Sequence, residues 1–183
     1  VKSLQNVGAH ALNTYPGTWR KEGGSKTEGN IIDEEYKEGI YVGYRWADRK
    51  KQRPVFAFGH GLSYTQFAIS NLRADKASMT AADSITFTVQ VKNIGQRAGS
   101  ETVQLYVHDA KASVDRPLKE LKGFCKVSLQ PGESKDVSIT LGKDALSFYD
   151  ETTASWKAEQ GQFEAWVGNA SDNLKLRKSF QLK

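Results

Sequence analysis

From about Phe67 onward the chain alternates between apolar and polar positions. The run "SITFTVQVKN" places Ile85, Phe87, Val89 and Val91 on one face and Thr86, Thr88, Gln90 and Lys92 on the other. That period of two predicts a strand with one face buried. "TVQLYVHD" repeats it with Val103, Leu105 and Val107, "SKDVSITL" with Val137, Ile139 and Leu141, and "GQFEAWVG" with Phe163, Ala165 and Val167. Turn signals separate the runs: "NIGQRAG" at 93–99, "QPGES" at 130–134 and "EQGQ" at 159–162. Glycine supplies positive φ and proline presets φ, so each marks a chain reversal. Short strands at this spacing predict a mainly β, immunoglobulin-like or fibronectin-like antiparallel sandwich over residues 67–183. "KDALSFYD" predicts one helical turn with Asp144 as its N-cap.

Residues 1–66 carry a different pattern. "TYPGTWRKEGGSKTEGN" is a long polar, glycine-rich loop. "EGIYVGYRWAD" predicts a strand in which Ile40, Val42, Tyr44 and Trp46 alternate with Tyr41, Gly43 and Arg45. Large residues on both faces predict cover on both sides. One strand and a loop cannot build a core, so this part reads as the tail of a larger domain.

Composition narrows the field. The 183 residues are 38% hydrophobic and 26% charged, an ordinary globular balance for one domain or two small ones. The apolar runs are too short for a transmembrane helix, and no intact signal peptide opens the sequence. The net charge of +5 has one basic knot, "RKKQR" at 49–53, which reads as a solvated loop; without interleaved aromatics it does not predict nucleic-acid binding. Cys125 is the single cysteine and lies in a strand-like run, which predicts a buried, inert thiol.

The candidate chemistry is thin. "FGHGLSYTQF", residues 58–67, shares two glycines with G-x-G-x-x-G and part of G-x-S-x-G, but Tyr64 and Thr65 stand where glycine is needed, and a β-rich region follows instead of a helix. It reads as a turn built by Gly59 and Gly61, with Leu62, Tyr64 and Phe67 anchored in a core. His10, His60 and His108 lack metal-ligand spacing. His60, between two glycines, suits an interface or structural role, with ligand contact as the alternative. Asp33, Glu34, Glu35 and Glu38 would need a dry pocket to supply a general acid; on a polar loop they read as solvated.

Several motifs occur in a fixed order: "EGIYVGYRWAD", "PVFAFGHGLSYTQF", "VKNIGQRAGSETVQLYVHD", "SVDRPLKELKGF", "LQPGESKDVSITL" and "FYDE". Together, over residues 31–183, they resemble the C-terminal end of glycoside hydrolase family 3, the β-glucosidase and β-xylosidase type. The resemblance implies that residues 1–66 end an α/β sandwich domain and that 67–183 form a fibronectin type III-like domain. It implies a retaining, exo-acting parent enzyme with two carboxylates and no cofactor, acting on terminal β-linked sugars of oligosaccharides. The implied partners are the remaining barrel and α/β domains of that parent; a homo-oligomer is compatible, and neither nucleic acid nor membrane is implied. The implied setting is periplasmic or secreted. Two wordings depart from the family pattern: Trp46-Ala47-Asp48, where two aromatics often precede the Asp, and Ala57, where proline is common. The nucleophile motif and the acid/base glutamate both belong to regions absent from this sequence, so no catalytic residue is expected here.

Within this resemblance "FGHGLSYTQF" is the handover between the two domains. The candidate interface residues are His60 and Tyr64 there, and Asp115 and Arg116 in "SVDRPLKELKGF", where Pro117 interrupts the ladder. Asp115 and Arg116 offer bidentate pairing chemistry, and Leu118, Leu121 and Phe124 are expected to enter the sandwich core. Two alternatives come from other classes. One is a carbohydrate-binding or adhesion module using Trp19, Trp46, Trp156 or Trp166, although Trp156 and Trp166 fall in strand-like runs. The other is an interaction protein using the basic knot.

Overall fold

The computed structural model describes residues 18–19 and 32–183. The chain divides into two compact units, residues 1–56 and 57–183. His10 and most of the glycine-rich loop at 14–30 lie outside the described residues.

The larger unit is a two-sheet sandwich. Its strands are β3 (Phe67–Ala74), β4 (Ser78–Met79), β5 (Ser84–Asn93), β6 (Gly99–Asp109), β7 (Glu120–Leu129), β8 (Ser134–Gly142), β9 (Phe148–Asp150), β10 (Ser155–Lys157), β11 (Gly161–Gly168) and β12 (Leu176–Leu182). One sheet has the order β3-β5-β8, the other β4-β12-β11-β6-β7, and β9 and β10 form a separate hairpin. Pairing is antiparallel except between β12 and β4. The expected alternation holds: Ile85, Phe87, Val89 and Val91 from β5 meet Val103, Leu105, Val107, Phe163, Ala165 and Val167 in one core. Phe180 of β12 fills it further, edge-on to Phe87 and stacked on Phe163 at 5.3 and 5.7 Å. The turn after β8 is a 3-10 helix, η1 (Lys143–Leu146), entered from Gly142 without a side-chain cap, so Asp144 is not the N-cap.

The register of β7 corrects a second expectation. Cys125, Val127 and Leu129 face inward, with Cys125 half-buried, and this parity turns Phe124 outward, opposite Gln104. A bulge between Leu105 and Tyr106 leaves Lys122 as the extra residue and places Leu121 opposite Tyr106. Leu118 is exposed in the loop before β7 and Leu121 faces outward with Tyr106, so none of Leu118, Leu121 and Phe124 enters the core. Pro117 lies in that loop, between the ends of the two strands.

In the smaller unit β1 (Thr18–Trp19) pairs with β2 (Ile32–Asp33). The expected strand at Ile40–Trp46 is absent; the segment is a turn followed by α1 (Tyr44–Arg49). Gly39 and Gly43 adopt φ of +56° and +59°, which bends the chain, and the amides then bond locally, Arg45 to Val42 O and Ala47 to Gly43 O. Arg49 stacks 3.9 Å from the Tyr41 ring and Lys50 lies 4.9 Å from Trp46. The basic knot is therefore a helix end and an exposed turn.

Candidate functional site

A strap, residues 57–65, opens the larger unit. The Ser171 amide donates to Phe58 O at 2.8 Å and the His60 amide to Ala57 O at 2.9 Å. Gly59 sits at φ +85°, and a Cβ there would collide with the Gln104 amide. Glycine is required twice over, for conformation and for approach. Beneath the strap lies a polar relay. Tyr106 Oη donates to Gln104 Oε1 at 2.6 Å, Gln104 Nε2 to Asn169 O at 3.0 Å, and Asn169 Nδ2 to Glu101 Oε2 at 3.0 Å. Tyr106 and Gln104 are buried although they point away from the sandwich core. Beyond Gly61 the chain stands in solvent: Leu62 is 81% and Tyr64 91% exposed, so these two do not anchor the turn in a core. Phe67 does pack against it. His60 is exposed as well.

The strap is pinned at its far end by Asn93, a residue for which the sequence suggested only a turn. Its Oδ1 accepts from Thr65 Oγ1 at 2.8 Å and from the Gly95 amide at 3.1 Å; its Nδ2 donates to Arg97 O at 2.7 Å and Leu129 O at 3.2 Å. Its backbone amide donates to Glu133 O and its carbonyl accepts from Gly132. A signal was available: Asn93 continues the inward parity of Ile85 through Val91, so its amide must be buried and must be satisfied.

Arg116 lies at the opposite end of the sandwich and is only 7% exposed along its side chain. Nε and Nη2 donate to Glu120 Oε1 at 3.1 and 2.7 Å; Nη1 donates to Asp109 Oδ2 at 3.2 Å and Leu146 O at 3.0 Å. Lys122 Nζ donates to the other Glu120 oxygen at 3.1 Å. Burial pushes the Glu120 carboxyl up, but the Lys122 charge and the Arg116 hydrogen bonds outweigh it and hold the group below its ordinary value. These contacts lie within the sandwich and tie the loop before β7 to β6 and η1. Asp115 occupies that loop beside Arg116.

Among the described residues no group of three or more His, Cys, Asp or Glu side chains is placed to hold a metal ion. No helix there is long and apolar enough to cross a membrane. His108 lies on β6 against Trp166 at 5.2 Å, with its Nδ1 2.7 Å from Leu118 O. Arg177 stacks on the same tryptophan at 4.0 Å. Glu35 pairs with Lys37 at 2.6 Å. Glu38 differs from its expected solvation in one respect: its Oε2 is buried and has no hydrogen-bond partner among the described residues. Trp166 is buried, whereas Trp156 is exposed, edge to face with Tyr149 at 5.7 Å on the β9–β10 hairpin.

A fibronectin type III-like domain model matches residues 101–171. Thermostable β-glucosidase B of Acetivibrio thermocellus is 49% identical over 148 residues, covering 81% of this chain and 20% of that protein. A β-glucosidase of Bacteroides ovatus is 45% identical over 153 residues, covering 84% and 20%. Among solved structures, the Streptomyces venezuelae β-glucosidase DesR in complex with D-glucose matches all of this chain and 22% of its own, with TM-score 0.84 and 33% identity. A family 3 β-glucosidase of Bifidobacterium adolescentis matches with TM-score 0.78 and 34% identity, over 93% of this chain and 23% of its own. The chain thus spans about a fifth of the length of the curated relatives it matches.

Proposed function

We infer that this chain, which belongs with the C-terminal, fibronectin type III-like portions of glycoside hydrolase family 3 enzymes, is the structural end of a longer retaining, exo-acting β-glucosidase-like enzyme. The observation that carries this reading is the match of the fold over the whole chain to about a fifth of a β-glucosidase, with TM-score 0.84. The parent would remove terminal β-linked sugars from oligosaccharides with two carboxylates held in its other domains and no cofactor. His60 and Tyr64, exposed on the strap, belong to the surface that meets those domains, and Arg116 stiffens the loop carrying Asp115. A periplasmic or secreted setting is part of the proposal, checked by fractionating the source cells.

The test is an aryl β-glucoside assay on two samples. The 183-residue chain is expected to show no turnover above background, and the native polypeptide with its upstream sequence to hydrolyse with retention of configuration. Turnover by the chain alone, abolished by substituting an Asp or Glu within it, would overturn the proposal. The exposed Tyr149–Trp156 pair favours a second reading, a carbohydrate-binding module, because exposed rings stack on sugars. A titration of the chain with β-linked oligosaccharides that saturates, and that Trp156→Ala abolishes, selects that reading.

A further inference from the structure

The five-stranded sheet is buried on both faces along much of β6 and β11, not on one. The outward-pointing side chains Gln104, Tyr106 and Trp166 are as inaccessible as core residues. A sandwich sheet facing solvent alternates apolar-in and polar-out; cover on both sides marks a middle layer. The strap supplies the third layer over Gln104, but it leaves the sheet at Gly61. Next to that departure lies an open groove of about 580 Å³, lined by Phe58, Leu62, Leu121 and Phe124, with Glu101 and Lys126 among its polar edges. Phe124 is 70% exposed in mid-strand. Phe58, Leu62 and Phe124 are not scattered single residues; they line one depression continuous with the strap.

The geometry points to this groove as the seat of an apolar side-chain cluster from a part of the polypeptide corresponding to the unmatched four-fifths of the relatives. The inference rests on reading the chain as a portion of a longer enzyme, and it assigns the surface through which that enzyme is held. Two features select this occupant. The groove continues a packing layer that the chain itself begins. About four-fifths of each curated relative lies outside the matched region, so in those relatives an occupant is available in the same polypeptide. The strap is clamped by the Ser171–Phe58 and Thr65–Asn93 hydrogen bonds, which fix the groove wall before the occupant arrives. Preorganisation and tethering both favour docking. Arg116 takes no part, since its contacts close within the sandwich at the other end.

The experiment compares Leu62→Ser/Phe124→Ser in the 183-residue chain and in the native polypeptide carrying its own upstream sequence, by differential scanning calorimetry. In the 183-residue chain the unfolding midpoint is expected to stay within about 1 °C, because both side chains already stand in water. In the native polypeptide the sandwich transition is expected to fall by at least about 4 °C, or to separate from that of the remainder. Equal shifts in the two samples overturn the inference. So does a dimer of the 183-residue chain in sedimentation that the substitutions abolish, which would make a second copy the occupant. A native product of 183 residues by intact mass overturns it too, by removing the occupant. Glycosidase activity is measured on the same native samples. Activity with equal shifts removes this inference and leaves the proposed function; unequal shifts without activity do the reverse.

Discussion

Replacing Asn93 by Ala should be among the most damaging single changes to the sandwich. The side chain makes four hydrogen bonds that close three segments on one another: the strap's end at Thr65, the turn at Gly95 and Arg97, and the start of the turn after Leu129. Each intramolecular hydrogen bond contributes about 1 kcal/mol net, and a buried group left without a partner costs about 1–3 kcal/mol. Thr65, Gly95 and Arg97 are partly or fully exposed, so water replaces the lost amide there and only the net contributions vanish. The Leu129 carbonyl lies at a buried contact, where water replaces the lost donor least readily and the desolvation cost applies. The sum is about 4–6 kcal/mol, enough to lower the unfolding midpoint by more than about 10 °C in a unit of this size. Asn93→Asp sharpens the reasoning. It keeps the acceptor for Thr65 and Gly95 but turns a carboxylate oxygen towards the Arg97 and Leu129 carbonyls. It should be at least as damaging at neutral pH and partly restored in acid. Burial and facing carbonyls raise that carboxyl's folded pKa, so its neutral form is the stabilising one and is lost as pH rises. Thermal denaturation of the 183-residue chain, followed by circular dichroism across pH, reads both. An Asn93→Ala midpoint within about 2 °C of the parent would refute the argument, since it would mean that the amide network adds nothing the turns do not already have.

Arg116→Ala should destabilise the sandwich by about 3–5 kcal/mol because it removes the buried guanidinium from Asp109 and leaves Glu120 with Lys122 alone. Arg116→Lys should rescue little, since a single ammonium cannot reach Glu120, Asp109 and Leu146 O together; equal midpoints for Lys and Arg in chemical denaturation would contradict this. The depressed Glu120 pKa adds stability that is complete above the ordinary carboxylate range and lost as pH falls through the folded value. The denaturation midpoint should therefore drop between about pH 5 and pH 3, and Glu120→Gln should flatten that slope; a slope unchanged by Glu120→Gln would exclude the group. Gly59→Ala should lift the strap off Gln104 and raise hydrogen exchange at the Ser171 amide, with little effect at β5, whose exchange serves as the control.

The inward faces of β5 and β8 were legible because one buried face imposes strict alternation, and Ile85 to Val91 shows it over four positions. The same rule failed for "IYVGYRW". There Gly43 breaks the extended backbone and hands the alternating residues to a helix, where a period of two has no meaning. Phe124 and Leu118 were misplaced for a different reason. Apolar character shows that a side chain avoids water, not which layer it joins, and a sheet covered on both faces has apolar residues of both parities. The hydrogen-bonding hubs were least visible. Asn93 reads as an ordinary turn former, and Arg116 sits in a charged loop whose neighbours Asp109 and Glu120 become its partners only after folding.

The placement of β12 governs when the sandwich can form during synthesis. The strand lies between β11 and β4 in the five-stranded sheet, and Phe180 and Leu182 complete the core. While the ribosome still covers residues 176–182, the three-stranded sheet can pair, but β4 has no neighbour and one side of β11 is bare. A nascent chain stalled before Leu176 should therefore expose apolar surface and an unpaired strand edge, the two features that chaperones and aggregation both select.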